Sequence, residues 1–154
     1  MQTVTALMLR PEELRTKGFV SISYPPTLRA QVQYAIESWK NFCDLPLEKK
    51  QILSGGDRVK DFGYMLRNDT GPRADLKEQF HALRANFPLL LPKAEEIGDS
   101  RATEFITAID SLICEMEPVV RQFAVEVEEH YRLPGFESDV MSSKDSWTYR
   151  YLYY

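Results

Sequence analysis

One long apolar stripe constrains the fold of this chain more than any other feature. Apolar side chains recur every three or four residues from about Arg101 to Tyr131, which is the spacing of an amphipathic helix. Asp99 or Ser100 can cap the start of this helix, and Pro118 predicts a kink with a break just before it. Each large side chain contributes about 1.5–3 kcal/mol when fully buried, so the helix needs a packing partner. The stripe consists of Phe105, Ile109, Leu112, Ile113, Met116, Val119, Val120, Phe123, Val127 and Tyr131.

A helix, a corner and a second helix are predicted over residues 28–53. Pro46 suits the first turn of the second helix, where a missing N–H costs nothing. Glu48 also lies in that turn, where a carboxylate favours the positive end of the helix dipole. The apolar face of the first helix consists of Leu28, Val32, Ala35, Ile36, Trp39, Phe42 and Cys43.

Several short segments are predicted to be strands or possible strands. Residues 18–23 and 147–154 are rich in β-forming side chains, and residues 62–66 predict a strand or an extended loop. Residues 75–83 fit a helix or a strand, because their periodicity does not decide between the two. Two prolines bracket an apolar segment, residues 89–91, that is predicted to be a loop. As a strand, residues 75–83 would place on one face Leu76, Glu78, Phe80 and Ala82.

Composition and charge argue against several classes of protein. The chain has 154 residues and a net charge of −4 with acidic and basic residues interspersed, which argues against a general nucleic-acid surface. No secretory signal and no membrane-length apolar run is visible. Cys43 and Cys114 lie on apolar helix faces, so buried free thiols in a reducing cytoplasm are expected, with a disulfide as the alternative.

Several short motifs follow one another in a fixed order. They are Gly18-Phe19-Val20, Trp39-x-x-Phe42, Leu45-Pro46-x-Glu48-Lys49-Lys50, Gly63-Tyr64, Asp75-x-Lys77-Glu78-x-Phe80 and Tyr131-Arg132-Leu133-Pro134 before a tyrosine-rich strand. In this order they resemble the N-terminal half of the isopenicillin N synthase-like, iron- and 2-oxoglutarate-dependent dioxygenases. The resemblance covers roughly residues 14–154. It implies that residues 75–83 form a strand.

The resemblance also implies a fold and a set of cofactors. The expected fold is α/β, or α+β, in which a helical N-terminal portion with a long kinked helix joins a few strands of a jelly roll. Fe(II) and 2-oxoglutarate are implied for a complete family member. Iron is held there by a His-x-Asp pair and a distant His, and 2-oxoglutarate by an Arg-x-Ser. This sequence contains neither motif, so no metal ligand or catalytic residue is expected within residues 1–154.

The chain is therefore expected to be one unit whose jelly roll begins near residue 147 and is cut off. A tyrosine-rich strand at residues 147–154 would leave an unpaired edge, which supports a truncated chain. The expected partners are a small-molecule substrate and the missing C-terminal jelly-roll half, without nucleic acid or membrane. The alternative is a non-catalytic helical binding or dimerisation module that kept the scaffold, with a partner chain covering its apolar faces.

Six residues are candidates for the substrate or co-substrate pocket. Lys77, Gln79 and His81 form a row on one side of the strand at 75–83, and this row would face the substrate. A solvent-facing strand side is the simpler alternative. The tyrosine of the Gly-Tyr segment would border the substrate by resemblance, although a packed aromatic is the simpler alternative. Two residues of the last strand match positions that contact the substrate or 2-oxoglutarate in the family. His130, Lys49 and Lys50 are assigned structural or solvated roles. The six candidates are Tyr64, Lys77, Gln79, His81, Arg150 and Tyr154.

Overall fold

A computed structural model describes residues 10–22, 25–55, 62–68 and 76–154. Within these ranges the chain forms helices and an antiparallel sheet, so the protein belongs to the mixed α+β class. Short 3₁₀ turns lie at Arg84–Asn86 and Lys144–Ser146. The elements in chain order are α1 (Glu12–Lys17), α2 (Pro26–Cys43), α3 (Leu47–Gln51), β1 (Gly63–Asn68), β2 (Leu76–Leu83), α4 (Phe87–Glu96), α5 (Ser100–Tyr131), α6 (Phe136–Ser142) and β3 (Thr148–Tyr153).

The sheet has the order β1-β2-β3, with β2 in the centre. Both neighbours run antiparallel to β2: Phe80 lies opposite Tyr64 on one side and opposite Tyr151 on the other. Pairing on both sides explains why residues 76–83 form a strand, since two ladders satisfy the backbone groups that a helix would satisfy internally. The segment near residues 62–66, for which a strand and an extended loop were both open, is a strand, and the strand predicted at residues 147–154 is confirmed.

One face of the sheet packs against α2 and α5, and α4 contributes buried residues to the same core. An aromatic cluster lies at this interface, with the Phe80 and Phe105 rings 5.0 Å apart and the Trp39 and Phe105 rings 5.1 Å apart. Tyr151 of β3 joins the cluster, 5.5 Å from Phe105 in an edge-to-face arrangement. Such pairs contribute about 0.5–1.5 kcal/mol beyond the area that they bury. The long helix thus finds the packing partner that its stripe requires.

The long helix is confirmed as α5. The Asp99 side chain caps it by accepting a hydrogen bond from the Arg101 backbone N–H at 3.2 Å, and the helix ends before Arg132, which has a left-handed φ of 57°. Helical structure continues through Pro118, so no break occurs there, while the kink stays a prediction. None of the ten stripe residues is exposed: six are buried and four are half-buried. No helix among the described residues is both long and apolar enough to cross a membrane.

The corner has the predicted form with two local differences. Pro46 is the residue before α3 and not part of its first turn. Ile36 of the predicted apolar face is 44% exposed, whereas Ser38 is buried. Leu45, at the corner itself, is only 3% exposed, so this turn is anchored in the core.

Two predicted elements are wrong. Residues 18–22 form no strand, and residue 23 lies outside the described residues. A strand requires a neighbour, and no described strand pairs with residues 18–22. Residues 89–91 belong to helix α4 and not to a loop. Leu90 is fully buried in the core, and this burial offsets the one backbone hydrogen bond that Pro92 removes.

Candidate functional site

The sheet has a second face, directed away from the helices, which we call the outer face. Side chains alternate along β2, so Lys77, Gln79 and His81 lie on the outer face while Phe80 faces the core. Arg150 of β3 lies directly opposite His81. By cross-strand register this face includes Met65, Arg67, Lys77, Gln79, His81, Thr148, Arg150 and Leu152.

Burial varies strongly across the outer face. Gln79 and His81 are only 6% and 5% exposed, whereas Arg150 and Leu152 are exposed. The Gln79 side-chain amide donates to the Met65 sulfur at 3.7 Å. The row on β2 is therefore not the solvent-facing strand side that was the simpler alternative. It is a set of polar side chains enclosed beside an open, basic edge.

Tyr154 extends the outer face beyond the end of β3. The Lys77 ammonium lies 5.7 Å from the centroid of the Tyr154 ring, a cation–π distance, although Tyr154 itself is 75% exposed. Arg67, Lys77 and Arg150 carry positive charge, and no described member of the outer face is acidic. This face therefore suits the anionic group of a ligand, even though the whole chain has a net charge of −4.

Tyr64 does not join the other five candidates. It lies opposite Phe80, on the core face, and is 1% exposed. Its hydroxyl donates to Glu78 Oε2 at 3.0 Å. Burial, followed by the nearby Glu78 carboxylate, raises the pKa of Tyr64 above its usual value. The structure thus brings together Lys77, Gln79, His81, Arg150 and Tyr154 and separates Tyr64 from them.

A buried charged network lies on the core side, and the sequence did not predict it. The Lys50 ammonium donates to Glu78 Oε1 and Oε2 at 2.8 and 2.7 Å and to the Cys43 carbonyl at 2.8 Å. Lys50 is 5% exposed, so its assignment as a solvated charge is wrong. Lys49 is half-buried, with its ammonium 3.5 Å from Asp99 Oδ2. The sequence contained one indication of this network, because a carboxylate at position 78 on an otherwise apolar strand face requires a buried partner.

The two cysteines differ in environment. Burial, followed by the Glu78 charge, raises the pKa of the Cys43 thiol to about 12, so this thiol stays protonated at neutral pH. Cys114 is exposed, and the prediction that it is buried is wrong. Leu112 and Ile113 lie on the buried side of α5, and Cys114, about 100° beyond Ile113 around the helix, lies outside that side.

The described residues do not fit an iron site. No group of three or more His, Cys, Asp or Glu side chains within residues 10–22, 25–55, 62–68 and 76–154 could hold a metal ion. His81 lies within β2, and His130 is exposed near the end of α5, its ring 4.6 Å from that of Tyr131.

No protein-family model, no curated protein and no solved structure matches this chain. Functional conclusions therefore depend on the geometry of the outer face and on the residue motifs.

Proposed function

We propose that this chain is the N-terminal region of an Fe(II)- and 2-oxoglutarate-dependent oxygenase of the isopenicillin N synthase-like family, acting on a small organic substrate. The observation that carries the proposal is the strand Leu76–Leu83 with its enclosed polar row. The resemblance implies a strand there, whereas periodicity alone also allowed a helix. The order of helix, corner, strand pair, long helix and tyrosine-rich strand supports the same family.

The outer face is where the substrate would make contact in this proposal. Arg150 and Lys77 provide positive charge, and Gln79 provides a hydrogen-bonding amide in a largely water-free position. Tyr154 adds an exposed ring and hydroxyl beside Lys77. In this proposal the jelly-roll strands and the iron ligands lie outside the described residues. We therefore assign binding roles, and no step of the oxidation, to this chain.

A second candidate is a non-catalytic binding or dimerisation module. The observation that favours it is the apolar surface at the end of β3, where Leu152, Tyr153 and Tyr154 are 41%, 44% and 75% exposed. Among the described strands, β3 pairs on one side only, and an unpaired edge with apolar side chains invites a partner. A partner chain could cover this surface in place of a jelly roll.

The reading frame beyond Tyr154 distinguishes the two candidates. A continuation that encodes His-x-Asp, a distant His and Arg-x-Ser supports the oxygenase. A stop codon directly after Tyr154 supports the module and contradicts the oxygenase. Sedimentation velocity of this chain then measures dimerisation, which the module requires.

Turnover tests the proposal directly. We expect the protein from the longer frame to convert 2-oxoglutarate to succinate when Fe(II) and oxygen are supplied. We expect the 154-residue chain alone to form no succinate. Tight binding of one Fe(II) per 154-residue chain, measured by metal analysis after dialysis, would contradict the proposal that the iron ligands lie elsewhere.

The outer face is tested by changing its charge. Arg150→Gln in the longer protein should raise KM for the substrate or for 2-oxoglutarate, because a charge-assisted contact is lost. Arg29→Gln is the matched control, since Arg29 is an exposed arginine of α2. Equal kinetics for both variants would show that Arg150 does not contact either ligand.

A further inference from the structure

A cleft of about 370 Å³ lies between α4 and α5. It shares no residue with the outer face of the sheet. Ile106, at its base, is 1% exposed, and Phe87 is 9% exposed, so the floor of the cleft is part of the core. The volume falls at the lower end of the range for small-molecule sites, roughly 300–1,000 Å³. The residues lining the cleft are Phe87, Pro88, Leu91, Pro92, Ile106, Thr107 and Asp110.

The helical spacing explains why these residues meet. The four residues of α4 follow the pattern i, i+1, i+4, i+5, and the three of α5 follow i, i+1, i+4. Each set therefore occupies one side of its helix. A three-residue connection, residues 97–99, joins α4 to α5, so the helices form a hairpin with the cleft between them. The cleft is thus built on two helices anchored in the core.

The polar groups of the cleft are mainly hydrogen-bond acceptors. Pro92 has no N–H, so the Pro88 carbonyl lacks its usual α-helical donor. The Asp110 carboxylate accepts only, and the Thr107 hydroxyl can accept as well as donate. Among the described residues, the Asp110 side chain forms no hydrogen bond or ion pair, whereas the Asp99 and Glu117 side chains pair with arginine or lysine. A cation at the mouth of the cleft would complement this set.

We infer that the α4–α5 cleft binds a small amphiphilic amine. The apolar body of the ligand lies against Phe87, Leu91 and Ile106, where it is removed from water. Its ammonium group lies at Asp110 and donates to the carboxylate. The assignment rests on charge, acceptor chemistry and volume, and it is independent of the proposed oxygenase function.

Three probes with the same aromatic body and different charge test the assignment on the 154-residue chain. They are phenethylamine, 2-phenylethanol and phenylacetate, each titrated while amide ¹H–¹⁵N shifts are recorded. We expect phenethylamine to shift amides of α4 and α5 around the cleft and to bind about three- to fivefold more tightly than 2-phenylethanol, the range of an exposed ion pair. Phenylacetate should bind more weakly than 2-phenylethanol.

Two variants distinguish the cleft from the rest of the surface. Asp110→Asn should abolish the preference for the amine, while Glu104→Gln, an exposed acid elsewhere on α5, should leave it unchanged. Thr107→Phe should weaken all three probes, because the larger side chain occupies the cleft. Circular dichroism confirms that each variant is folded. Absence of cleft shifts with phenethylamine, equal binding of amine and alcohol, or an unchanged preference in Asp110→Asn would each overturn the inference.

Discussion

Lys50 Nζ lies 2.7 Å from Glu78 Oε2. The Lys50 side chain is only 7% exposed, and the Glu78 side chain is 20% exposed. This ion pair joins helix α3 to the central strand across 28 residues of sequence. The same ammonium donates to the Cys43 carbonyl at the end of α2, and the same carboxylate accepts from Tyr64. The pair thus connects the corner at residues 44–46 to two strands of the sheet.

Removing one partner of this pair should destabilise the protein strongly. We expect Lys50→Met to lower the free energy of unfolding by about 3 kcal/mol, because the half-buried Glu78 charge would remain without its partner. Urea denaturation followed by circular dichroism measures the change. Lys49→Met is the control: this neighbour pairs with Asp99 at 3.5 Å and is 38% exposed, so its loss should cost less than about 1 kcal/mol.

A double variant separates the interaction from the two individual side chains. Lys50→Met combined with Glu78→Gln should be more stable than the sum of the two single changes predicts, because neither charge is then left alone. Strict additivity of the two changes would contradict a direct energetic coupling between Lys50 and Glu78.

The two thiols should react at very different rates. At pH 8 we expect a thiol reagent such as dithionitrobenzoate to label Cys114 within minutes, because it is exposed. Cys43 should react only after denaturation, since it is 7% exposed and its pKa is raised to about 12. In Cys114→Ser no thiol should react in the native state. Rapid labelling of two thiols in the native protein would contradict the buried position of Cys43.

Gly63 cannot accept a side chain. Its φ is +83°, and a Cβ at this position would collide with the Leu53 carbonyl oxygen, which accepts a hydrogen bond from the Tyr64 N–H at 3.0 Å. We expect Gly63→Ala to lower the free energy of unfolding by about 3 kcal/mol through backbone strain and displacement of the neighbouring chain. Gly98→Ala is the control, because Gly98 also has a positive φ of 66° but open space around it. Its cost should be about 1 kcal/mol.

The Asp99 carboxylate should make the stability of the protein depend on pH in the acidic range. Hydrogen bonds from Arg101 hold the pKa of Asp99 well below its usual value, so the folded state favours the charged carboxylate. A lowered pKa stabilises the folded state above the pKa of an unfolded aspartate, about 3.9, and this contribution is lost as the pH falls. The stability difference between the native chain and Asp99→Asn should therefore shrink from pH 7 toward the lowest pH at which both remain folded.

Asp99→Ala provides the internal control for this titration. Alanine removes the helix cap as well as the charge, whereas asparagine can still accept the Arg101 N–H. Asp99→Ala should therefore remain less stable than the native chain at low pH. A difference for Asp99→Asn that does not change with pH would contradict the lowered pKa.

The helices were the most predictable part of the fold. The stripe of α5 and the apolar face of α2 repeat every three to four residues, and such local periodicity survives in almost any tertiary context. The prediction of a strand at residues 18–23 was wrong because composition indicates only a tendency to form a strand and cannot supply the neighbouring strand. The prediction of a loop at residues 89–91 was wrong for a related reason. The spacing of the prolines indicated a loop, whereas burial of Leu90 favours a helix.

The candidate site was predicted in part. Alternation along β2 places Lys77, Gln79 and His81 on one face, as expected from a period of two. The enclosure of Gln79 and His81 was not predictable, because it depends on what packs beside the sheet. Tyr64 lies on the opposite face because its register with Phe80, and not its place in a Gly-Tyr motif, decides where it points.

By itself the sequence determined the two long amphipathic helices, the corner between α2 and α3, and the alternation of polar and apolar side chains along the strands. Those features depend on residues within a few positions of one another, where side-chain periodicity and backbone propensity act directly. Only the tertiary structure decided that Lys50 is buried against Glu78, that β2 lies between β1 and β3, and that Asp110 borders an apolar cleft. Each of these results from contacts between different helices and strands, whose energies depend on burial and on partners that no local pattern specifies.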